Sequence, residues 1–480
     1  MVIKNFRKIV SFLLVAFYLP AVSGSLVAQA NKVGEDVKNY QLQLSELEQT
    51  EGPFGSALIE PLTGLVSAYQ KDRNYLSALE EQRRLIQIFR TEYGFSDPNL
   101  IPLLRTQLEI ELALGGTESV SDIFDHMRFV QNDVGEERPE QLLSIIDEQA
   151  YWSLLRIFFD RSREGVKQFF VARELIEQQI DLAEKSFGEA DERSIPWSYR
   201  KAVNNLRLVQ LLNVSNGLSY ETIDRLFRED GALALQDRDA PFFYGRERGS
   251  ITPTVKQGSM LGQRYLEKSY RLVKDIDEIL EQKAAMLKAA ESPKYLQALE
   301  TQAMAKIARG DFQQLLGRST AIRDYREAKE LLVDAGVEKK LIEHFFSVPE
   351  PLPSLNLYSS LQGALSAREG SDENDGDRLF LGTFTGWADN IGFSPMPVAP
   401  SSFPDIALEY GEFDVNLSIS RRGRASSVKI SGGNELPGRL RNQAVRAVRK
   451  IPFRPAIVDG KTKRVITASL IYKIPLEIEL

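Results

Sequence analysis

Side chains that could do chemistry are scarce in this chain. It contains no cysteine and two histidines, His126 and His344. Thiolate nucleophiles, iron–sulfur clusters, disulfides and cysteine-ligated zinc are excluded, and a histidine metal site or a Ser-His-Asp triad has little to draw on. No phosphate-cradling glycine loop, HExxH or GxSxG occurs. Paired acids such as Glu80-Glu81 or Asp275 and Asp277 fall within amphipathic helical patterns, where carboxylates serve as ion-pair partners rather than acid–base dyads. The residue types point away from an enzyme and call for no cofactor and no metal. Binding is the activity left to consider.

The elements that would carry binding begin after a targeting segment. Residues 1–30 have a basic start at Lys4, Arg7 and Lys8, an apolar core from Ile9 to Val22, and the small-x-small tripeptide Ala28-Gln29-Ala30. This pattern is that of a secretory signal peptide. The alternative is an inner-membrane anchor through residues 9–22, but that stretch is shorter than the ~20 residues a spanning helix needs and is interrupted by Pro20. Export without cysteine suits the periplasm of a Gram-negative envelope. The remainder, 43% apolar and 26% charged, has the composition of folded soluble domains.

From about 38 to 347 apolar residues recur at helical spacing. Leu58, Leu62, Leu65, Val66 and Tyr69 share one face; after the polar turn Lys71–Asn74, so do Tyr75, Ala78, Leu79, Leu85, Ile86 and Phe89. Gly94 ends that helix and Asp97-Pro98 opens the next, with Leu100, Leu104 and Leu108 facing inward. Gly52, Gly94 and Gly135 stand 42 and 41 residues apart, a period that predicts stacked helical hairpins. The expected organisation is helical repeats over 38–217, an irregular connection over 218–262 and a second helical block over 263–348. An acidic and proline-rich connector follows over 349–404.

Tyr69 and Ala78, the ending Tyr93-Gly94-x-x-x-Asp97-Pro98, and the patch Arg309–Phe312 through Leu316-Gly317 to Asp324–Ala328 resemble tetratricopeptide repeats of the kinesin light chain type. The resemblance covers about half of 38–347 and implies a mainly α fold, a solenoid that binds proteins. A non-repeating helical domain is the alternative.

The segment 405–480 reads differently. Phe413, Val415, Leu417 and Ile419 alternate with Asp414, Asn416 and Ser418, which predicts a half-buried strand. The turn Arg421–Arg424 leads to a second strand with Val428 and Ile430. A helix over 438–450 follows, with Leu440, Ala444 and Val448 as its apolar stripe and Arg439, Arg446 and Arg449 facing water. The last strand places Ile466, Ala468, Leu470, Tyr472, Ile474, Leu476, Ile478 and Leu480 on one face, and Pro475 predicts that it lies at a sheet edge.

This β-turn-β, helix, long-strand order, with Gly423, Ala444, Ala447 and Phe453-Arg454-Pro455-Ala456-x-x-x-Gly460, is similar to the C-terminal domain of TonB. The resemblance covers about 70 residues and implies a small α+β module that captures extended peptides of outer-membrane receptors by strand addition. It places the partner-binding edge at Thr467, Ser469, Ile471 and Lys473. A module that merely packs on the helices or dimerises remains the alternative. TonB-like transducers keep a membrane anchor and a proline-rich spacer; here the spacer's place is taken by helices.

Charge supports an interaction role. Against an overall net charge of −7, residues 411–464 hold 13 Lys/Arg and four Asp/Glu. A basic module beside acidic helices suits contacts with acidic proteins or an anionic surface through Arg439, Arg446 and Arg449, and nucleic acid is no partner for an exported protein. The sequence thus leads to a periplasmic interaction protein with envelope partners, an accessory or transducer of TonB-dependent transport across the outer membrane. The alternative is a general envelope scaffold of tetratricopeptide type with no part in energy transduction.

Overall fold

The computed structural model describes residues 23–134, 138–159, 163–188, 191–212, 253–368, 378–387, 394–395, 399–406, 409–433 and 436–476. Of the targeting pattern over residues 1–30, residues 1–22 lie outside them, as do the terminal Ile478 and Leu480. The chain is mainly α, with small sheets in its C-terminal region, and divides into two compact units, Met1–Asp133 and Val134–Leu480. Among the described residues no helix is long and apolar enough to cross a membrane.

In the first unit α1 (Ser23–Glu51), α2 (Ile59–Lys71), α3 (Tyr75–Tyr93) and α4 (Leu100–Ala113) each pack on the next, and α5 (Thr117–Val134) follows. Leu44, Leu58, Leu62, Leu65, Leu85 and Ile88 form its core. The Asn74 side chain caps α3 by accepting from the Ser77 N–H. Gly94, at φ +97°, ends α3 in a conformation that disfavours side chains. Ala78 is fully buried with Val66 and Ile110, and Tyr69 packs against the group.

The second unit continues with α6 (Pro139–Phe159), α7 (Arg163–Phe187) and α8 (Ile195–Leu212). Then come α9 (Pro253–Ala289), α10 (Tyr295–Leu315), α11 (Ala321–Asp334), α12 (Lys339–Ser347) and the short α13 (Leu361–Ser366). Helical order thus resumes at Pro253, ten residues before the sequence pattern shows it. α8, α9 and α10 share Tyr199, Val203, Val273, Leu280 and Phe312; α10 to α13 share Ile307, Tyr325, Leu332, Phe346 and Leu361.

The α+β part comprises β1 (Glu350–Pro351), β2 (Leu379–Trp387), β3 (Ser394–Pro395), β4 (Tyr410–Ile419) and β5 (Ala425–Ile430). It continues with α14 (Gly438–Lys450), β6 (Phe453–Arg454), β7 (Ala456–Val458), β8 (Lys461–Lys463) and β9 (Val465–Pro475). The main sheet runs β3-β2-β9-β4-β5. Its buried face carries Phe413, Val415 and Leu417 of β4 and Ala468, Leu470 and Tyr472 of β9, covered by Ala444 and Val448 of α14. The alternation expected along β9 is present from Ala468 on, but Ile466 is 69% exposed, because the ladder with β4 shifts register between Ala468 and Val465 and the extra residue there reverses which side chains face the core.

The connector expected over 349–404 is instead built into the fold. Glu350 and Pro351 pair with Arg454 and Phe453. Leu379–Trp387 forms β2, with Leu381 in the sheet's core. Phe403 is buried against Tyr151 and Trp152 of α6, while the Ser402 hydroxyl donates to Glu148 at 2.6 Å. Local composition marks these residues as irregular because their partners lie far along the chain.

Candidate functional site

The strand proposed to receive a partner is interior. β9 pairs antiparallel with β4 through Asn416↔Ser469, Asp414↔Ile471 and Glu412↔Lys473. On its other flank it pairs in parallel with β2 through Phe380↔Ser469, Thr383↔Ile471 and Thr385↔Lys473. Ser469, Ile471 and Lys473 therefore have a strand on both sides, and the reading of β9 as an edge is corrected: β2 takes up the backbone groups that strand addition would use. Thr467 is exposed and precedes the β2 pairing, which begins at Ala468. Pro475 stands opposite Tyr410, beyond the last β2 pair at Lys473, so its missing N–H costs the β2 ladder nothing. β3 covers only Gly386 and Trp387 of β2, so among the described residues the outer flank of β2 is unpaired before Gly386, while β5 is kinked at Ser427 (φ +53°) where its register with β4 shifts.

The three arginines proposed on α14 are all exposed. α14 is tied to the sheet edge by Arg441, which donates to the Ile430 carbonyl at 2.9 Å. Arg449 and Lys450 occupy its last turn, where cations complement the helix dipole. Arg449 lines a cleft of about 1240 Å³ between the β4–β5 turn and the α10–α11 corner; Arg439 and Arg446 do not. Sequence reasoning missed Arg318, Lys461 and Lys463, which also line it. Only the fold brings these segments together.

A buried clasp fixes the α+β part to the helices. Arg454 donates from Nε and Nη2 to the two carboxylate oxygens of Asp311 on α10, at 2.8 and 2.6 Å, and both side chains are 3% exposed. Tyr325 of α11 donates its hydroxyl to Asp311 at 2.8 Å, and the Phe345 ring lies 4.8 Å from the Arg454 guanidinium. Burial works against the Arg454 charge, but the Asp311 carboxylate overrides it and holds the group protonated above the usual arginine range. Burial, reinforced by Asp311, pushes the Tyr325 phenol well up. Neither group exchanges a proton near neutrality, so the clasp joins elements rather than moving protons.

The paired acids are also engaged structurally. Asp277 is fully buried between Lys306 (3.3 Å) and Arg309 (2.6 Å), and Arg309 also reaches Asp324 at 2.6 Å. Burial raises the Glu81 carboxyl, with Arg84 acting in the opposite sense. Among the described residues no group of His, Cys, Asp and Glu is placed to hold a metal.

Among solved structures, the crystal structure of BtubC (BKLC) from P. vanneervenii is similar at 14% identity and a TM-score of 0.25, over 65% of this chain and 92% of that one. No protein-family model and no curated protein matches the chain.

Proposed function

We propose that this is a non-catalytic interaction protein of the cell envelope, a scaffold with tetratricopeptide-like helical hairpins and a TonB-like α+β module docked onto them. The observation that carries this reading is the parallel pairing of β2 with β9. It fills from within the flank that a receptor peptide would occupy, and an intramolecular strand competes at high effective concentration. The Arg454–Asp311 clasp supports the same reading, because it makes the module part of the scaffold rather than a mobile arm.

A second reading, an accessory of TonB-dependent transport, is favoured by one feature. The β2–β9 ladder is interrupted between Phe380 and Thr383, where Gly382 adopts φ +96°, so the inserted strand is imperfect and open to displacement. Titrating isotope-labelled protein with an extended peptide from a TonB-dependent receptor separates the two. The scaffold reading expects no amide shifts along β9 in the wild type. In Thr383→Pro, where β2 loses a ladder position, shifts would report an uncovered flank. Shifts along β9 in the wild type overturn the scaffold reading in favour of the accessory.

A further inference from the structure

We propose that the cleft between the β4–β5 turn and the α10–α11 corner binds an extended acidic protein segment that carries apolar side chains among its carboxylates. Eight Lys/Arg line it, and among the described residues no Asp or Glu does. Arg318 is neutralised from outside the cleft by Glu267, at 2.6 and 2.8 Å. Lys463 approaches Asp459 at 3.7 Å. Among the described residues Arg421, Arg422, Arg424, Arg449 and Lys461 form no ion pair. Five uncompensated cations facing one concavity repel one another and create a strong local positive potential.

The wall carrying three of them is held in place. Gly423 lies in the left-handed region (φ +69°), and a Cβ there would collide with the Phe453 carbonyl. The Phe453 N–H donates to the Gly423 carbonyl at 2.8 Å, and Gln314 of α10 donates to the Arg422 carbonyl at 2.7 Å. The turn therefore presents Arg421, Arg422 and Arg424 from a backbone pinned at Arg422 and Gly423, which lowers the ordering cost of binding.

The cleft's shape and lining select the ligand class. Its volume exceeds the ~300–1,000 Å³ of small-molecule pockets, so an oligomeric ligand fits better than a metabolite. Half-buried Leu315, Ile322 and Pro452 also line the cleft. A phosphate chain has no use for such groups, whereas an extended peptide presents side chains of both kinds. Among the described residues the one aromatic of the lining, Tyr325, is 1% exposed and committed to Asp311, so it offers no stacking face for bases.

This proposal is independent of the scaffold reading, since the cleft does not involve the β2–β9 flank. The test is fluorescence anisotropy of the full chain with a short labelled peptide of Asp and Glu interspersed with Leu. Polyphosphate and phosphatidylglycerol vesicles serve as competitors. Saturable binding that weakens steeply with salt is expected. Arg422→Glu/Arg449→Glu, shown by circular dichroism to be folded, should weaken it by about tenfold or more, and Arg422→Gln/Arg449→Gln should act in the same direction. Lys294→Glu/Lys340→Glu, an equal charge change at exposed residues outside the cleft, should leave it within about twofold. Equal weakening by that control overturns the site in favour of net charge alone. Unchanged affinity of a peptide with Ser for Leu overturns the apolar requirement, and tighter binding of polyphosphate or vesicles through the same arginines overturns the peptide as ligand.

Discussion

Arg454 keeps a full charge where water scarcely reaches, because a bidentate carboxylate, two aromatic faces and a paired strand surround it. Removing one partner strands the other. Arg454→Met should therefore destabilise the second unit by about 3–5 kcal/mol, read as a lowered melting temperature. The double variant Arg454→Met/Asp311→Leu should recover most of the loss, since it buries no unpaired charge; no recovery would mean that the pair does more than compensate its own burial. In the first unit, His126 Nδ1 accepts from Arg90 at 2.7 Å, which fixes the proton on Nε2. Burial, then the Arg90 charge, lowers the His126 pKa below 6.5, against an opposing backbone hydrogen bond at Phe95. The unfolded chain then binds the proton more readily. Stability should be full above pH 6.5 and fall as the pH drops from there through the lowered folded value. His126→Gln should flatten that slope in pH-dependent urea titrations of unit-one unfolding.

At the scale of elements, two helix crossings use the same device. Gly310 of α10 faces the Tyr325 ring so closely that a Cβ would lie 2.6 Å from it, and Gly64 of α2 stands in the same relation to Tyr40 of α1. Gly310→Ala and Gly64→Ala should each overpack their crossing and cost about 1–3 kcal/mol, although alanine is the better helix former. A raised melting temperature in either would show that the ring moves aside freely. The helices themselves were readable because Leu58, Leu62, Leu65 and their successors repeat at a period set within one element. So were β4, α14 and β9, whose alternation and stripe are also local. β2 was not, since its run Leu379–Trp387 holds Gly382 and Gly386 and its ladder partner lies far along the chain. For the same reason the alternation along β9 announced one buried face but said nothing of how many strands flank it. Arg449 was readable as an exposed cation; the cleft it shares with Arg318 and Lys461 exists only once three distant segments meet.

Across the whole molecule, the α+β part depends on residues outside 405–480. It lacks β2 and Asp311 when cut at Pro404, which leaves one flank of β9 bare and Arg454 without its carboxylate. The sequence pattern favours a self-sufficient module there, but the structure leads to the opposite expectation. A 404–480 fragment should give a poorly dispersed amide NMR spectrum and a broad thermal transition, whereas well-dispersed amides and a sharp transition would mean that the β4–β5–α14–β9 core suffices alone. The order of strands in the sheet also has a consequence in time. The strand at its centre, β9, follows every one of its sheet neighbours in the chain. β2 and β4 lie on opposite sides of it and cannot join until Val465–Pro475 has left the ribosome. Loop closure over the long intervening stretch comes due before any ladder bond rewards it. The sheet is therefore assembled late, and a nascent chain halted before Val465 holds two strands with open edges, the form of the protein most exposed to aggregation and proteolysis.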